Sequence, residues 1–415
     1  MKKQLLLTIS IVLATAAHGL SLQECRQMAH DNYPAIRQYR LVEQSRDFTL
    51  SNVAKGWLPQ VSVSGGAYAF TDVLKSNQQT QAMGMDMKNW MANGSVVVKQ
   101  NVYDGGQMTA RKKVAEAEAD VQTRQLDVSL YAVNDRVEQL YFGVLLLDEQ
   151  LSQTDLLLKD LGVSEKTVRS MMKGGVANQS DLDAILVEKV KATQQKEVLT
   201  TSRTAYLRML GVFIGKELPA SEKLEKPSAS SLPDKSKWGE NRPEQAVYTA
   251  QNTLLDAQRR QLDTRLRPTV SLFGLGMVHS KLTDQVNNGV LAGGVSLSWN
   301  IGALYTRKND LRKLDVQRQL NESQRKTFLF NNRLQNEEAD GTLASLRKQI
   351  AQDEEIVRLR ESIRSKSDKK VELGTESVNE LVRDINAVSL ARAQKAQHEI
   401  ELLKEIYRIK TLNNE

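Results

Sequence analysis

Residue types that carry catalysis or bind metal ions occur in this sequence, but they are not grouped. No two of the four histidines have the spacing of a zinc site such as His-Glu-x-x-His; they are His18, His30, His279 and His398. Residues 211–216 (GVFIGK) resemble a phosphate-binding loop, but three residues separate the glycines instead of four and no Ser or Thr follows. The acids Asp353-Glu354-Glu355 lie in charge-rich helical sequence, where a solvated helix face explains them. We therefore expect no enzymatic activity, no metal site and no cofactor.

The composition indicates long polar helices. Of the 415 residues, 40% are hydrophobic, 26% are charged and only 5% are aromatic, which is typical of extended helices rather than of compact mixed cores. The mean hydropathy is −0.44. No stretch after the N-terminus approaches the roughly 18–20 consecutive apolar residues that a transmembrane helix needs. These features exclude a polytopic helical membrane protein.

The first 19 residues predict export from the cytoplasm. Lys2 and Lys3 precede an apolar stretch, Leu5 to Ala17, and small residues follow it, which is the pattern of a signal peptide cleaved after Ala16 or Gly19. Cys25 is the single cysteine, so the chain has no intramolecular disulfide. We expect a buried free thiol, with stability supplied by packing or by oligomerisation.

The positive charge does not indicate nucleic-acid binding. The formal net charge is +7, but basic clusters such as Arg111-Lys112-Lys113 and Arg307-Lys308 sit near acids and lack interleaved aromatic residues. Solvated helix faces are the preferred interpretation. Because both clusters follow predicted strands, contact with anionic lipid headgroups is the alternative.

An internal duplication organises the chain. Pro34 and Pro59 recur as Pro243 and Pro268, at an offset of 209 residues, with similar sequence after the second proline of each pair. Later matches have an offset of 199, including residues 175–182 against residues 374–381. The first copy therefore carries about ten additional residues between Gly65 and Asn101. One unit of about 200 residues occurs twice.

The same elements are predicted in each copy. A helix (Gln23–Gly56; Glu244–Leu266) precedes two strands with alternating apolar residues, and a long helical hairpin follows. The predicted strands are Val61–Phe70, Ser95–Tyr103, Val270–Met277 and Gly294–Ile301. Apolar residues between Val137 and Leu161 fit a heptad seam. Glycines near 174 and 374 mark the helical reversals, with Ser180 or Asp181, and Ser377 or Asn379, as candidate N-caps.

The predicted boundaries follow from this order. The first repeat covers residues 20–211, with a β-hairpin at about 61–103 and a helical tip near 173–180; the second covers residues 241–415, with a hairpin at about 269–301 and a tip near 373–379. Residues 212–240 are rich in Lys, Ser, Pro and Glu and are predicted to be a linker. Strands of about ten residues have the length of transmembrane β-strands. Four strands cannot close a barrel, so several chains must share one.

The sequence resembles the TolC-like outer membrane efflux proteins along the whole mature chain. The resemblance rests on short motifs in family order, each weak alone: residues 22–25 and 32–36, residues 58–66, residues 102–106, and the paired reversals at 175–182 and 374–381. It implies a mostly α fold with a small β part, in which a trimer forms a 12-stranded transmembrane β-barrel continued by a periplasmic α-helical barrel. It also implies an exit duct that docks to a periplasmic adaptor and an inner-membrane pump.

The resemblance also implies functional positions at the hairpin tips. Asp181 and Glu380 match the acids of the periplasmic aperture, where rings of carboxylates would favour cations. An acid near a helix N-terminus is also a common stabilising cap, and that interpretation stays open. The adaptor-docking candidates are the tip residues Gly175, Val176, Ser180, Gly374, Thr375 and Ser377.

The closing contact of the family is altered here. In one member of the family, an Arg of the second hairpin ties the aperture closed to the first-hairpin Asp, with help from a Tyr. These positions are Glu376 and Val371 in this chain, so that contact cannot form with Asp181. Arg383 is the candidate substitute partner. The two strand-to-helix joins also differ, because Tyr103-Asp104-Gly105-Gly106 corresponds to Gly302-Ala303-Leu304-Tyr305.

Trp57 and Trp299 flank strand ends and are candidates for an interfacial aromatic girdle, or for ordinary packing.

The whole chain is predicted to be an outer membrane duct for efflux or type I secretion that extends into the periplasm. The alternative is a non-conducting periplasmic coiled-coil scaffold. The sequence does not identify the cargo.

Overall fold

A computed structural model describes residues 19–69, 90–228, 231–281 and 288–415. The predicted signal peptide lies outside the described residues, apart from Gly19, and so do Phe70 and the longer loop of the first copy. These predictions therefore stay untested.

The described part of the chain is mostly helical, with one small antiparallel sheet. The first half contains α1 (Leu22–Asn32), α2 (Ile36–Ala54), β1 (Gln60–Ala69), β2 (Trp90–Tyr103), α3 (Gln107–Lys173) and α4 (Gln179–Ile214). The second half contains α5 (Pro243–Thr264), β3 (Thr269–Lys281), β4 (Asn288–Ser298), α6 (Ala303–Glu372) and α7 (Val378–Asn413). Short 3₁₀ helices cover Lys55–Trp57 and Lys235–Lys237. The second half thus repeats the element order of the first, with the single helix α5 in place of α1 and α2.

The predicted first helix, Gln23–Gly56, is wrong in one respect, because it is two helices. Helix α1 ends at Asn32, and Tyr33 has extended backbone angles (φ −63°, ψ 129°). The cause is Pro34, which has no backbone N–H and disfavours a helical conformation in the residue before it. In the second half no such break occurs, since Pro243 is the first residue of α5, where its missing N–H costs nothing.

The four strands form a single sheet in the order β1-β2-β3-β4, with every neighbouring pair antiparallel. Strand β2 begins earlier than predicted, and β4 ends at Ser298 rather than Ile301. The ladder pairs Gln60 with Lys99, and Thr269 with Ser298. Within the described residues, β1 and β4 each have a strand on one side only. Large apolar side chains on these two strands are exposed, namely Val61, Val63, Leu291, Val295 and Leu297.

The two strand-to-helix joins differ, as predicted. In the first, the Asp104 carboxylate accepts hydrogen bonds from Gly106 N at 2.9 Å and Met108 N at 2.6 Å, and Gly105 and Gly106 have positive φ. In the second, backbone turns alone begin the helix, with Leu304 N donating to the Ile301 carbonyl at 3.0 Å. The first join therefore uses two glycines with positive φ and an acid, whereas Gly302 of the second join does not have positive φ and no acid stands at the position of Asp104.

Contacts divide the chain into two compact units. The first consists of Met1–Ile36, Leu126–Pro243 and Thr327–Glu415; the second consists of Arg37–Gln125 and Glu244–Lys326 and contains the sheet. In the first unit, Leu161 of the predicted heptad seam is fully buried in one apolar cluster, and Val137 and Val144 of the same seam are fully buried in a second, larger apolar core. Cys25 is a buried free thiol in this core, as predicted.

The predicted linker, residues 212–240, is anchored to the first unit. Helix α4 continues to Ile214, and Gly215 ends it in the left-handed conformation. Arg203, 8% exposed, then pairs with Asp148 and donates to the backbone carbonyls of Ala220 and Glu222. A side chain of α4 thereby fixes the path of the connecting segment.

A buried ion pair joins distant parts of the first unit. The Arg26 guanidinium contacts the Glu138 carboxylate and donates to Thr411 Oγ1 at 2.8 Å, and Thr411 Oγ1 donates to Glu138. Glu138 is only 6% exposed. The pKa of Glu138 is raised overall. Burial raises it, and this effect outweighs the Arg26 charge and the hydrogen bonds from Thr411 and Arg26, which lower it. The pair links α1, α3 and α7.

Replacement of Arg26 by Met should destabilise the protein by about 3 kcal/mol at pH 7, because it leaves the Glu138 charge buried without a cation. A carboxyl whose pKa is raised in the folded state takes up a proton on folding, so the loss should shrink as the pH falls. Denaturant unfolding of the purified protein at pH 7 and pH 5 measures this. The double variant Arg26→Met with Glu138→Gln is the control and should lose the pH dependence. An equal loss for the single variant at both pH values would contradict the prediction.

Candidate functional site

The first helical reversal is built by a glycine and a capping box. After Lys173, Val176 N donates to the Met171 carbonyl at 3.0 Å, and Gly175 has φ +73°. This is the hydrogen bond that closes a helix with a left-handed residue, which glycine adopts without strain. The next helix begins with Asn178 as N-cap. The prediction of Ser180 or Asp181 as the cap is therefore wrong by two or three residues.

Asp181 completes this cap from inside the helix. The Asn178 side chain accepts from Asp181 N at 3.1 Å, and the Asp181 carboxylate accepts from Asn178 N at 2.9 Å. This reciprocal pair satisfies two backbone donors that the first turn leaves free. The capping interpretation of this acid is therefore supported by direct contacts.

The second reversal uses the same construction with different residues. Gly374 has φ +69°, and Thr375 N donates to the Lys370 carbonyl at 2.9 Å. Of the two predicted N-cap candidates, Ser377 and Asn379, Ser377 is the N-cap. Its hydroxyl accepts a hydrogen bond from Glu380 N at 3.2 Å. A Cβ placed on Gly374 would lie 3.5 Å from Val176 Cγ1, so the two tips are in contact range.

The charged residues near the second tip pair locally. The Arg383 guanidinium contacts Glu380, three residues earlier on the same helix. The Glu376 carboxylate lies 3.4 Å from Lys370 Nζ. Neither contact joins the two hairpins, so the structure does not pair Arg383 with Asp181.

One apolar cluster lies behind both tips. It contains Val371, which is 1% exposed. Leu182 and Leu381, which correspond in the two repeats, are 4% and 2% exposed in the same cluster. The four long helices of the hairpins thus meet through Leu, Ile and Val side chains, without an aromatic residue among the cluster's fully buried members.

Polar contacts that the sequence reasoning missed join the hairpins beyond this cluster. The Asp160 carboxylate of α3 accepts from Arg364 of α6 at 2.6 Å and lies 3.8 Å from Arg392 of α7. Asn386 of α7 donates to Glu188 of α4 at 3.0 Å. The pKa of Glu188 is lowered, first by its hydrogen bond from Lys191 and also by that from Asn386. These contacts hold the two hairpins at a fixed register.

A metal centre does not accompany this arrangement in the part of the chain that the structure describes. There, no three His, Cys, Asp or Glu side chains lie where they could hold a metal ion together. None of the described helices is long and apolar enough to cross a membrane.

Solved structures share this fold along nearly the whole chain. The outer-membrane channel OprN is 14% identical, with a TM-score of 0.69, and the match covers 95% of this chain and 90% of that one. The CmeC outer membrane channel of Campylobacter jejuni is 12% identical over 94% of this chain and 85% of its own, with a TM-score of 0.66. The MtrE outer membrane channel of Neisseria gonorrhoeae, in its open state, is 14% identical over 94% and 88%, with a TM-score of 0.67.

The chain has the fold of the TolC-like outer membrane channels. No family model and no curated protein matches its sequence. At identities of 12–14%, the likeness establishes the channel fold and not the partners or the cargo. The resemblance predicted from short motifs is confirmed at this level.

The predicted site residues lie either at the helical reversals or near the ends of strands. The tip candidates lie at the reversals, where Val176 is 59% exposed and Leu373, beside Gly374, is 77% exposed. Trp57 and Trp299 lie at strand ends and are 40% and 60% exposed, so packing within the chain does not bury them. The roles of these residues in an aperture, in docking and at a membrane interface stay predictions.

The contact between Asp160 and Arg364 should limit local opening of the hairpins. Arg364→Gln removes a partly buried, charge-assisted hydrogen bond worth about 1.5 kcal/mol, which corresponds to roughly tenfold faster amide exchange around these residues. Hydrogen–deuterium exchange with mass spectrometry measures this. Arg358→Gln is the matched control, because Arg358 pairs with Glu355 on its own helix. Equal exchange in both variants would show that the contact does not hold the hairpins together.

Proposed function

We propose that this protein is the outer membrane channel of a tripartite efflux or type I secretion system. In this proposal it is a passive exit duct that forms a homotrimer, with a 12-stranded barrel in the outer membrane and helices in the periplasm. Its hairpin tips dock to a periplasmic adaptor, which connects it to an inner-membrane pump. The observation that carries the proposal is the four-stranded sheet with two unpaired edges and exposed apolar side chains.

The unpaired edges favour a shared barrel. Strands β1 and β4 present backbone N–H and C=O groups that have no partner strand within the described chain. In a bilayer each such group costs several kcal/mol, so only a closed barrel is stable there. Three chains with four strands each give twelve strands, which lies within the range of outer membrane barrels.

Exposed apolar stripes on the helices support assembly of identical chains. One face of α4 carries large exposed apolar residues at helical spacing: Val187, Val190, Val198, Tyr206, Met209 and Val212. Helix α6 carries a second such stripe: Phe330, Leu334, Ile356, Leu359 and Ile363. Apolar faces of this length are unfavourable in water. Neighbouring copies of the chain would cover them in a ring of helices.

The chain extracted from outer membranes in detergent should have the mass of a trimer and should produce single-channel currents in a planar bilayer. Size-exclusion chromatography with light scattering measures the mass. A matched variant with Val190→Glu and Met209→Glu should lower the trimer fraction, because it places charges on the α4 stripe. A monomer without channel activity would overturn the proposal and favour a non-conducting periplasmic scaffold.

Acidic residues at the tips should give the duct a preference for cations. Asp181→Ala together with Glu380→Ala should lower the cation-to-anion permeability ratio, since both carboxylates would be lost from the aperture. Reversal potentials in a salt gradient measure this ratio. Asp181→Asn with Glu380→Gln removes the charges while keeping side chains that accept hydrogen bonds, and should have the same effect. Glu399→Ala with Glu401→Ala is the charge-matched control. Unchanged selectivity in both tip variants would place these acids outside the aperture.

A further inference from the structure

The positive charge of the chain is concentrated beside the sheet. We define the junction segments as the ten residues next to each strand where it meets the helices: 50–59, 104–113, 259–268 and 299–308. They contain ten Lys and Arg against two Asp, a net charge of +8, whereas the whole chain has +7. The other 375 residues therefore have a net charge of −1. A random distribution over solvated helix faces would not place the entire excess in a tenth of the chain.

All four junction segments leave the sheet at the same end. The ladder pairs Gln60 with Lys99, Val270 with Tyr103, and Thr269 with Ser298, so the start of β1 and β3 and the end of β2 and β4 lie side by side. None of the ten cationic side chains is buried. The cations therefore form a belt around one end of the sheet.

Some members of the belt have acidic or backbone partners. Arg307 donates to Asp263 at 2.9 Å, Lys113 to Glu116 at 3.0 Å, and Arg259 lies 3.8 Å from Asp315. Arg267 Nη1 donates to the Gly105 carbonyl at 3.5 Å. These acids are too few to neutralise the belt, which keeps its net positive charge.

Apolar and aromatic side chains border the cations at the end of β4. Leu297, Trp299 and Ile301 are 71%, 60% and 53% exposed, and Leu304 and Tyr305 in the first turn of α6 are 54% and 85% exposed. Trp299 keeps its indole N–H satisfied by donating to the Leu266 carbonyl at 2.9 Å while its ring stays exposed. Trp and Tyr with exposed rings beside basic residues are typical of the boundary between acyl chains and headgroups.

A cavity of about 280 Å³ lies between the C-terminal end of α5 and the start of α6. Its lining includes the cationic side chains of Arg265 and Arg307, the polar groups of Asn300 and Thr306, and one acid, Asp310. Arg307 Nε is buried without a hydrogen-bond partner, although another nitrogen of this guanidinium bonds to Asp263. The guanidinium groups of Arg265 and Arg307 and the hydroxyl of Thr306 are hydrogen-bond donors of the kind that bind phosphate oxygens.

We propose that this belt binds anionic phospholipid, with Arg265 and Arg307 holding the headgroup phosphate in the cavity and the neighbouring aromatic residues contacting its acyl chains. The inference rests on the proposed function, since it requires the sheet to lie in a membrane. Charge complementarity selects the ligand: a zwitterionic lipid offers the phosphate but not the net negative charge that the belt attracts. Nucleic acid is a poorer match, because the cations border exposed aliphatic residues rather than a continuous polar groove.

Native mass spectrometry of the detergent-purified protein, incubated with phosphatidylglycerol or phosphatidylethanolamine, tests the proposal. The wild-type protein should retain phosphatidylglycerol in preference, and Arg265→Gln with Arg307→Gln should reduce that retention about tenfold, because each cation near an anionic surface contributes attraction. A second variant, Arg265→Gln with Lys308→Gln, leaves the Arg307–Asp263 contact in place and should also lose retention. Arg347→Gln with Lys348→Gln removes the same charge from α6 outside the junction segments and should retain lipid as the wild type does.

Three results would overturn the proposal: equal retention of the two lipids by the wild type, unchanged retention in both junction variants, or displacement of the lipid by excess inorganic phosphate. Planar-bilayer currents recorded from the same preparations separate this inference from the proposed function. A conducting protein without lipid preference removes only the lipid site. A protein that does not conduct removes the duct as well.

Discussion

The unpaired edges of the sheet are the constraint on which the other features depend. Among the described residues, strands β1 and β4 each hydrogen-bond to one neighbouring strand, and their large apolar side chains are exposed. Water can satisfy such an edge, but hydrocarbon cannot. If the sheet enters a bilayer, the missing neighbours must come from other copies of the chain. Association of several copies of the chain is then required for membrane insertion and does not follow it as a later step. The same association buries the exposed apolar stripes of α4 and α6.

The same constraint explains how the helices can be so polar. A helix in a ring of helices buries only narrow seams, so it needs few large apolar residues. The cluster behind the tips consists of Leu, Val, Ile and Ala, with partly buried Met beside it. Aromatic residues of the first unit are instead concentrated near α1, where Tyr141 and Phe142 are fully buried and the Tyr141 hydroxyl donates to the backbone of Leu20 and Glu225. Aliphatic contacts alone do not fix the register between the two hairpins. Charged pairs such as Asp160 with Arg364 fix it instead.

The sequence was most informative where a local rule or the duplication applied. Corresponding leucines, Leu182 and Leu381, could be aligned by their offset, and both lie in one buried cluster. The helix break at Tyr33 follows from Pro34, although the predicted helix Gln23–Gly56 runs through this position. The cap at Asn178 was missed because Ser and Asp follow it closely and are equally good caps by type. The contact of Asp160 with Arg364 could not be predicted, since charges recur every few residues along both helices and only packing decides which pair meets.

The location of the charge matters more than its total. A chain with a net charge of +7 would suggest a tube that attracts anions, but the residues outside the junction segments carry −1 in total, or −3 without Lys2 and Lys3 of the predicted signal peptide. The proposed duct walls therefore impose little average field of their own. In that setting a few carboxylates at a constriction can determine the sign of the selectivity, because no large opposing charge on the helices counteracts them.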